Sequence, residues 1–202
     1  MDRRIRHVVF DLGGVLFHWN PQEILRLLKV EDPHFPDHIA EITMTKAWLD
    51  FDAGRLKLNE SIDQLTVLHK REHLERFIKL SIDKLAPIQH GLHLLEKVKK
   101  QGLKTYILSN ISSEFIHILT PRYPFLHTFD GAVFSYEVQA IKPQEKIYKA
   151  LLDKYDLIPQ ECLFIDDYLI NLETAARLGI DTILCKDHEF VEKELKKRHL
   201  IE

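Results

Sequence analysis

Five short apolar runs, separated by longer stretches with a helical period, constrain the fold of this chain most strongly. Each run has four to six residues and is bounded mostly by polar or turn-forming residues, as β-strands are. Strands that alternate with helices form a parallel sheet with helices on both faces. We therefore predict an α/β fold with a doubly wound, five-stranded, Rossmann-like sheet. The strands are predicted over residues 7–10, 103–108, 131–134, 162–165 and 180–185.

Residues 18–86 interrupt this alternation, because they contain helical patterns and no convincing strand. The Asn20-Pro21 pair is a typical helix start, and further helices are predicted over residues 37–49, 59–70 and 72–85. We predict two domains: a Rossmann-like core formed by residues 1–17 and 87–202, and a four-helix cap formed by residues 18–86. An insertion directly after the first strand lies above the carboxyl edge of the sheet, where it can cover a site.

Composition and charge exclude several classes of protein. The 202 residues carry a formal net charge of −3, and the basic run Arg3-Arg4-Ile5-Arg6 is short, so nucleic acid is not predicted as a partner. No apolar run approaches the length of a membrane span, and Asp11 interrupts the apolar stretch that a signal peptide would need. Cys162 and Cys185 have neither metal-site nor disulfide spacing. We predict a cytoplasmic protein that does not bind membranes; the sequence does not indicate its oligomeric state.

Polar side chains follow three of the predicted strands. Asp11 ends the first strand, Ser109-Asn110 the second and Asp166-Asp167 the fourth, and Lys142 stands just before a proline that begins a predicted helix. Each feature alone is typical of a turn, a helix cap or a solvated lysine. The carboxyl ends of parallel strands, however, meet at the ligand-binding edge of an open sheet. Together these residues indicate a site with a nucleophile, a hydroxyl, an acid pair and a lysine.

This set of side chains suits reactions of phosphate esters. A carboxylate that faces a phosphate dianion is repelled, and a hard cation such as Mg²⁺ with oxygen ligands removes that barrier. The adjacent acids Asp166 and Asp167 repel each other unless a proton or a cation joins them. A serine hydroxyl, backbone N–H groups and a lysine can hold the remaining phosphate oxygens. The residues thus predict a small phosphorylated metabolite as substrate and Mg²⁺ as cofactor.

In four segments the sequence resembles the haloacid dehalogenase superfamily of hydrolases. The segments are Phe10-Asp11-Leu12-Gly13-Gly14-Val15-Leu16, Leu108-Ser109-Asn110, Ile141-Lys142-Pro143, and Phe164-Ile165-Asp166-Asp167 with Asn171 and Gly179 after it. They stand in the family's order and span essentially the whole chain. Residues 18–86, with Trp48 and Gly54-Arg55, are similar to the small four-helix cap of a subgroup that holds many bacterial sugar-phosphate phosphatases.

The resemblance implies a Mg²⁺-dependent phosphatase, with a sugar phosphate as the expected substrate. Asp11 would be the nucleophile and would form an aspartyl-phosphate. The groups that bind the phosphoryl oxygens would be Ser109, Lys142 and Asn110, the last through its backbone. The oxygen ligands of Mg²⁺ would be Asp11, the main-chain carbonyl of Gly13 and Asp167. Asp166 would either bind the ion directly or contact the residues that bind it.

Gly13 departs from the family pattern. Most phosphatases of the family have an aspartate there, which protonates the leaving oxygen and then activates water. General acid–base catalysis contributes ~10²–10⁴-fold, a small part of the ~10²¹-fold by which phosphate monoester hydrolysis can be accelerated. Gly13 therefore leaves catalysis possible but predicts a preference for leaving groups that need little protonation, such as those of anomeric, acyl or aryl phosphates.

Two residues are candidates for substrate contacts from the cap. His18 follows the first motif and is a candidate substitute for the missing acid, and Arg55 lies in a polar loop. Both are equally typical of solvated loop residues. Trp48 and Phe51 are more typical of the cap core than of a substrate contact.

Two other functions are compatible with the sequence. A 2-haloacid dehalogenase also uses an aspartate nucleophile and needs no metal, but Asp166-Asp167 would then place surplus negative charge near an anionic substrate. Gly13 is also compatible with a catalytically weak regulatory or binding member of the family. Halide release that survives EDTA would favour the first alternative, and the absence of Mg²⁺-dependent turnover the second.

Overall fold

The computed structural model describes residues 5–202 and contains a five-stranded sheet. The strands are β1 His7–Phe10, β2 Lys104–Ser109, β3 Gly131–Phe134, β4 Cys162–Asp166 and β5 Asp181–Leu184. Their order is β3-β2-β1-β4-β5, and every neighbouring pair is parallel. The predicted α/β, Rossmann-like fold is confirmed. Arg3 and Arg4 of the basic run lie outside the described residues.

Helices connect the strands and cover both faces of the sheet. The α-helices are α1 Pro21–Glu31, α2 Lys46–Asp52, α3 Leu58–Leu65, α4 Arg71–Asp83, α5 Gln89–Lys100, α6 Ser113–Arg122, α7 Ser135–Val138, α8 Glu145–Lys154, α9 Leu169–Arg177 and α10 His188–Lys197. Short 3₁₀ helices span Ile39–Met44, Pro124–Thr128 and Pro159–Glu161. No helix of the described chain is both long and apolar enough to cross a membrane.

Several helical regions differ from the sequence prediction, among them α3, which ends at Leu65 and not at residue 70. The helix predicted over residues 37–49 is divided at Thr45, where the 3₁₀ helix ends and α2 begins. The Thr45 hydroxyl donates to the Ile42 carbonyl at 2.6 Å and accepts from the Trp48 amide at 3.3 Å, so its side chain caps α2. The sequence pattern does not predict α6, because Pro121 lies in its last turn and is typical of a helix end.

The central strand is buried on both faces. Val8 and Phe10 of β1 pack in one apolar cluster and Val9 packs in another, as the alternation of side chains along a strand requires. Residues 18–86, here called the cap segment, hold α1–α4, one 3₁₀ helix and no strand. Trp48 and Phe51 of this segment are buried in the same cluster as Phe10. The limits of the cap as a domain, residues 18 and 86, stay a prediction.

Candidate active site

The carboxyl ends of the central strands bring three predicted site residues together. Phe10 of β1 is in register with Ile165 of β4, so the next residues, Asp11 and Asp166, lie side by side. The Asp11 amide donates to the Ile165 carbonyl at 3.0 Å, which extends the pairing by one residue. Ser109 ends β2 on the other side of β1, and its side chain lies close enough to the Asp11 carboxylate to lower the pKa of that acid.

Lys142 joins two of these carboxylates. Its Nζ lies 2.8 Å from Asp11 Oδ1 and 2.6 Å from Asp166 Oδ2, and its side chain is 1% exposed. Burial lowers the pKa of this ammonium, but the two carboxylates raise the pKa by more, so the lysine stays charged. Asn110 fixes the lysine backbone: its Nδ2 donates to the Lys142 carbonyl at 3.1 Å, and its Oδ1 accepts from the Lys142 amide at 2.7 Å.

Asp166 has no exposed surface, and its carboxylate is surrounded by donors. The Tyr168 amide donates to Oδ1 at 2.7 Å, and Asn171 Nδ2 lies 3.0 and 3.1 Å from the two oxygens. With Lys142 on Oδ2, Asp166 orients the lysine as well as adding charge. The sequence analysis did not assign a role to Asn171; its place in the first turn of α9, five residues after Asp166, is the signal that was available.

The three acids form a cluster with surplus negative charge. Carboxylate oxygens of Asp11, Asp166 and Asp167 lie within 4.8 Å of one another. Burial is the main cause that raises the pKa of Asp11 to about 6, against the lowering effect of Lys142. Burial, followed by the charges of Asp11 and Asp166, raises the pKa of Asp167 to about 7. Three acids face one lysine, and this donor set can hold a metal ion.

Gly13 and Gly14 have different structural tasks. Gly14 has a φ of +69°, and a Cβ there would lie 2.2 Å from Asp167 Oδ2, so only glycine fits beside this carboxylate. The Gly13 carbonyl accepts no hydrogen bond from the described residues and is therefore available to a ligand. A Cβ on Gly13 would lie 3.3 Å from Trp19 Cβ, so the Trp19 side chain occupies much of the space beside position 13.

A cavity of about 330 Å³ lies between this cluster and the cap segment. Asp11, Gly13, Ser109 and Lys142 line its core end, together with Asn110 and Asp167. The lining also includes Trp19 and Asp52, which the sequence analysis missed. Trp19 is one aromatic in a predicted loop. Asp52 belongs to the segment that resembles the family's cap, but the sequence assigns it no role. Burial raises the pKa of Asp52 to about 8, and a hydrogen bond from the Trp48 side chain opposes that shift.

The structure does not bring His18 and Arg55 to this cavity. His18 is exposed, and neither residue is among those that line the cavity. Arg55 pairs with Asp50 at 2.7 Å, and its Nη1 donates to the Gln139 carbonyl at 3.2 Å. Arg55 therefore ties the cap segment to the core, and the substrate contacts predicted for both residues have no support in the cavity geometry.

Two phosphatases are similar to this chain over most of its length. The sesquiterpene phosphatase astK from Aspergillus oryzae is 26% identical over 175 residues, which are 85% of this chain and 85% of that protein. The D-ribitol-5-phosphate phosphatase from Bacteroides thetaiotaomicron is 24% identical over 196 residues, 88% of this chain and 90% of that protein.

Similarity to solved structures shows the same fold. A wild-type HAD family enzyme from Bacteroides thetaiotaomicron, crystallised with magnesium and inorganic phosphate, has a TM-score of 0.68 and 22% identity. The match covers 89% of this chain and 93% of that one. The sequence-family model for haloacid dehalogenase-like hydrolases matches residues 5–179 of this chain, which include every residue of the acidic cluster. This chain therefore belongs to the haloacid dehalogenase-like hydrolases.

Proposed function

We propose that this protein hydrolyses phosphate monoesters of small metabolites through an aspartyl-phosphate on Asp11, with Mg²⁺ at the acidic cluster. The observation that carries the proposal is the 2.8 Å contact between Lys142 Nζ and Asp11 Oδ1 beside the Asp166–Asp167 pair. A nucleophile, a fixed cation and surplus acids are thereby concentrated at one edge of the sheet. Phosphoryl transfer needs these three elements, and together they serve few other reactions.

The reaction would proceed in two displacements at phosphorus. An Asp11 oxygen bonds to phosphorus as the bond to the leaving oxygen breaks, and water then attacks the same phosphorus and releases Asp11 as a carboxylate. Because its pKa is about 6, most of Asp11 is ionised at neutral pH. Lys142 holds this carboxylate in place, and Ser109 and the Asn110 backbone line the cavity where they would receive phosphoryl oxygens.

The residues present fit a Mg²⁺ site. Asp11, Asp167 and the free carbonyl of Gly13 would hold the ion, since all three line the cavity. Asp166 would not bind the ion directly, because Lys142 and Asn171 already donate to its oxygens. Bound Mg²⁺ would offset the negative charge that the substrate phosphate meets at the carboxylates.

The substrate is a separate question from the reaction. One phosphatase relative is named for a sesquiterpene and another for ribitol 5-phosphate, so these relatives support phosphate ester hydrolysis without choosing between apolar and polar substrates. The sugar phosphate and the cytoplasmic location that we predict from the sequence stay predictions.

The alternative reactions are less well supported. A dehalogenase needs no metal, so the Asp166–Asp167 pair would place surplus negative charge near an anionic substrate. A binding protein without catalysis would have no need of the Lys142 contact with Asp11. Gly13 is the one feature that favours such a protein, since it lacks the usual proton donor.

A panel of phosphate monoesters, assayed with Mg²⁺ and with EDTA, tests the proposal. We expect turnover that requires Mg²⁺ and falls at least about 1,000-fold in Asp11→Asn, which cannot form the acyl-phosphate. Asp50→Asn, a buried acid outside the cavity lining, serves as the control. Equal rates in the parent and Asp11→Asn would refute the proposal. Halide release from 2-haloacids in EDTA would assign the dehalogenase reaction instead.

A further inference from the structure

The cap segment supplies apolar walls to the active-site cavity. The apolar lining includes Trp19, Trp48, Leu49 and Leu85 of the cap segment, and Phe115 and Leu119 of α6 face the same cavity. Of the residues that the cap segment contributes to the lining, only Thr43 and Asp52 carry a hydroxyl or a carboxyl. The Thr43 hydroxyl already donates to the Ala40 carbonyl at 2.9 Å. A polyol in this space would lose its water and find few partners for its hydroxyl groups.

Apolar side chains also surround part of the cavity entrance. Met44 from the cap segment, and Tyr168 and Ile170 from the core, are 69%, 55% and 50% exposed and also line the cavity. We call these three residues the apolar rim. Exposed large apolar side chains that continue a buried apolar surface are typical of a ligand-binding groove.

We propose that the substrates of this enzyme are phosphate monoesters of apolar alcohols, with the alkyl or aryl group between the cap segment and the core. This inference rests on the proposed phosphatase function and narrows its substrate class. The phosphate would lie at the acidic cluster and the apolar group against Leu85, Phe115 and Leu119. The longest part of the apolar group would reach the apolar rim. The proposal replaces the sugar phosphate that the sequence resemblance predicts.

The test compares n-octyl phosphate with D-glucose 6-phosphate. Both are esters of primary alcohols, so their leaving oxygens have similar basicity. The comparison therefore reports the effect of an apolar group against that of a polyol. We expect kcat/KM at least 10-fold higher for n-octyl phosphate. An equal or higher value for glucose 6-phosphate would overturn the substrate class and leave the phosphatase function standing. No turnover of either ester, or of phenyl phosphate, would overturn the phosphatase function itself.

Variants of the rim test the binding mode. Met44→Gln and Ile170→Gln should each raise the KM for n-octyl phosphate about 5-fold. Val67→Gln is the matched control, because Val67 is 84% exposed on the cap segment but does not line the cavity. The same KM change in Val67→Gln would overturn the proposal. So would a change of oligomeric state in the rim variants, measured by analytical ultracentrifugation, because the rim would then be an interface between copies of this chain.

Asp52 is a candidate for the proton donor that Gly13 cannot supply, and different observations from those above support this second inference. It ends α2 and lines the cavity that also contains Gly13, whose neighbouring space is filled by Trp19. No cation of the described chain acts on its carboxyl, whereas Asp50, two residues earlier, pairs with Lys46 and Arg55. Asp52 is partly buried, and its burial raises the pKa of its carboxyl to about 8, which favours the protonated form at neutral pH.

We propose that Asp52 protonates the leaving oxygen and later accepts a proton from water. The Asp52 proton moves to the alcohol oxygen as the bond between phosphorus and that oxygen breaks and the Asp11–phosphorus bond forms. Water then gives its proton to the Asp52 carboxylate as it attacks the aspartyl-phosphate, which restores both acids. The preference for weakly basic leaving groups that Gly13 predicts would then apply only where Asp52 is removed.

Asp52→Asn separates this role from a structural one. General acid catalysis contributes ~10²–10⁴-fold, so kcat/KM for n-octyl phosphate, which reports the steps up to departure of the alcohol, should fall at least about 100-fold. The kcat/KM for p-nitrophenyl phosphate, whose leaving group needs no proton, should fall less than 5-fold. Asp50→Asn should change both rates by the same factor. An equal fall for both esters in Asp52→Asn, or no fall, would show that Asp52 is not the donor.

Discussion

The two ends of the cavity raise the pKa of an acid for different reasons. At the core end, burial and neighbouring carboxylates together raise the pKa of Asp167 to about 7. At the cap end, burial alone raises the pKa of Asp52 to about 8. A bound cation would lower the pKa of Asp167, whereas Asp52 lies among apolar side chains and remains neutral. The strand ends therefore supply charge for the reaction, and the cap segment supplies a low-dielectric wall that favours neutral groups.

Removal of Lys142 should have the largest effect, because it leaves two buried carboxylates without their cation. We expect Lys142→Met to lower kcat at least about 100-fold and the free energy of unfolding by ~3–5 kcal/mol. Urea denaturation and steady-state kinetics measure both effects. Lys149→Met, which removes an exposed pair with Glu145, should change stability far less, because water screens that pair. Equal stability of the two variants would mean that the buried charges at the core end stabilise the fold no more than an exposed pair does.

Gly14→Ala should disturb the acidic cluster only by a steric clash. The new Cβ would meet Asp167 Oδ2, so we expect the Mg²⁺ concentration for half-maximal activity to rise ~10–100-fold. Gly102→Ala is the matched control: Gly102 has a φ of +78°, and a Cβ there would meet nothing within 4 Å. Both variants should lose ~1–2 kcal/mol of stability from backbone strain. An unchanged Mg²⁺ requirement in Gly14→Ala would contradict the metal role of Asp167.

Asp52 should make stability depend on pH. Its folded pKa of about 8 lies above its ordinary value of 3.8, so the folded protein holds a proton that the unfolded chain releases. The free energy of unfolding should therefore decline as pH rises from about 4 to about 8, by at least about 1 kcal/mol. Asp52→Asn should reduce this decline, as urea denaturation at pH 5 and pH 8 would show.

Asp50 on the same helix should show the opposite sign. A hydrogen bond from Lys46 is the largest cause that lowers its pKa, so its contribution is present above its ordinary pKa and is lost as pH falls. Asp50→Asn should therefore reduce stability at pH 7 and not at pH 2. If Asp52→Asn and Asp50→Asn respond to pH alike, the two acids do not differ in environment as described.

His18→Ala should have the smallest effect. The side chain is exposed and lies outside the cavity lining, so kcat/KM for n-octyl phosphate should change less than about 2-fold. Steady-state kinetics beside Asp52→Asn measure the contrast. A fall comparable to that of Asp52→Asn would transfer the proton-donor role to His18.

The fold and the core end of the site were largely predictable from local patterns. β1 and β3 have the predicted limits, because short apolar runs that end in polar residues have few other interpretations. Asp11, Ser109, Asp166 and Asp167 stand at or directly after strand ends, where parallel topology brings residues together. Lys142 lies in the loop between α7 and α8, just before the proline that precedes a helix. The division at Thr45 and helix α6 were not predictable, because a side-chain cap and an interior proline reverse the usual signals.

The sequence by itself determined which chemistry the sheet edge can perform, since the residue types and their places after strands are local facts. Only the tertiary structure decided which of many similar residues belong to the site. Asp50 and Asp52 differ by two positions, yet one pairs with Lys46 and Arg55 and the other lines the cavity without a cation. The tertiary packing likewise places Trp19, and not another aromatic side chain, beside Gly13. Burial and pairing depend on residues distant in the chain, so no local pattern records them.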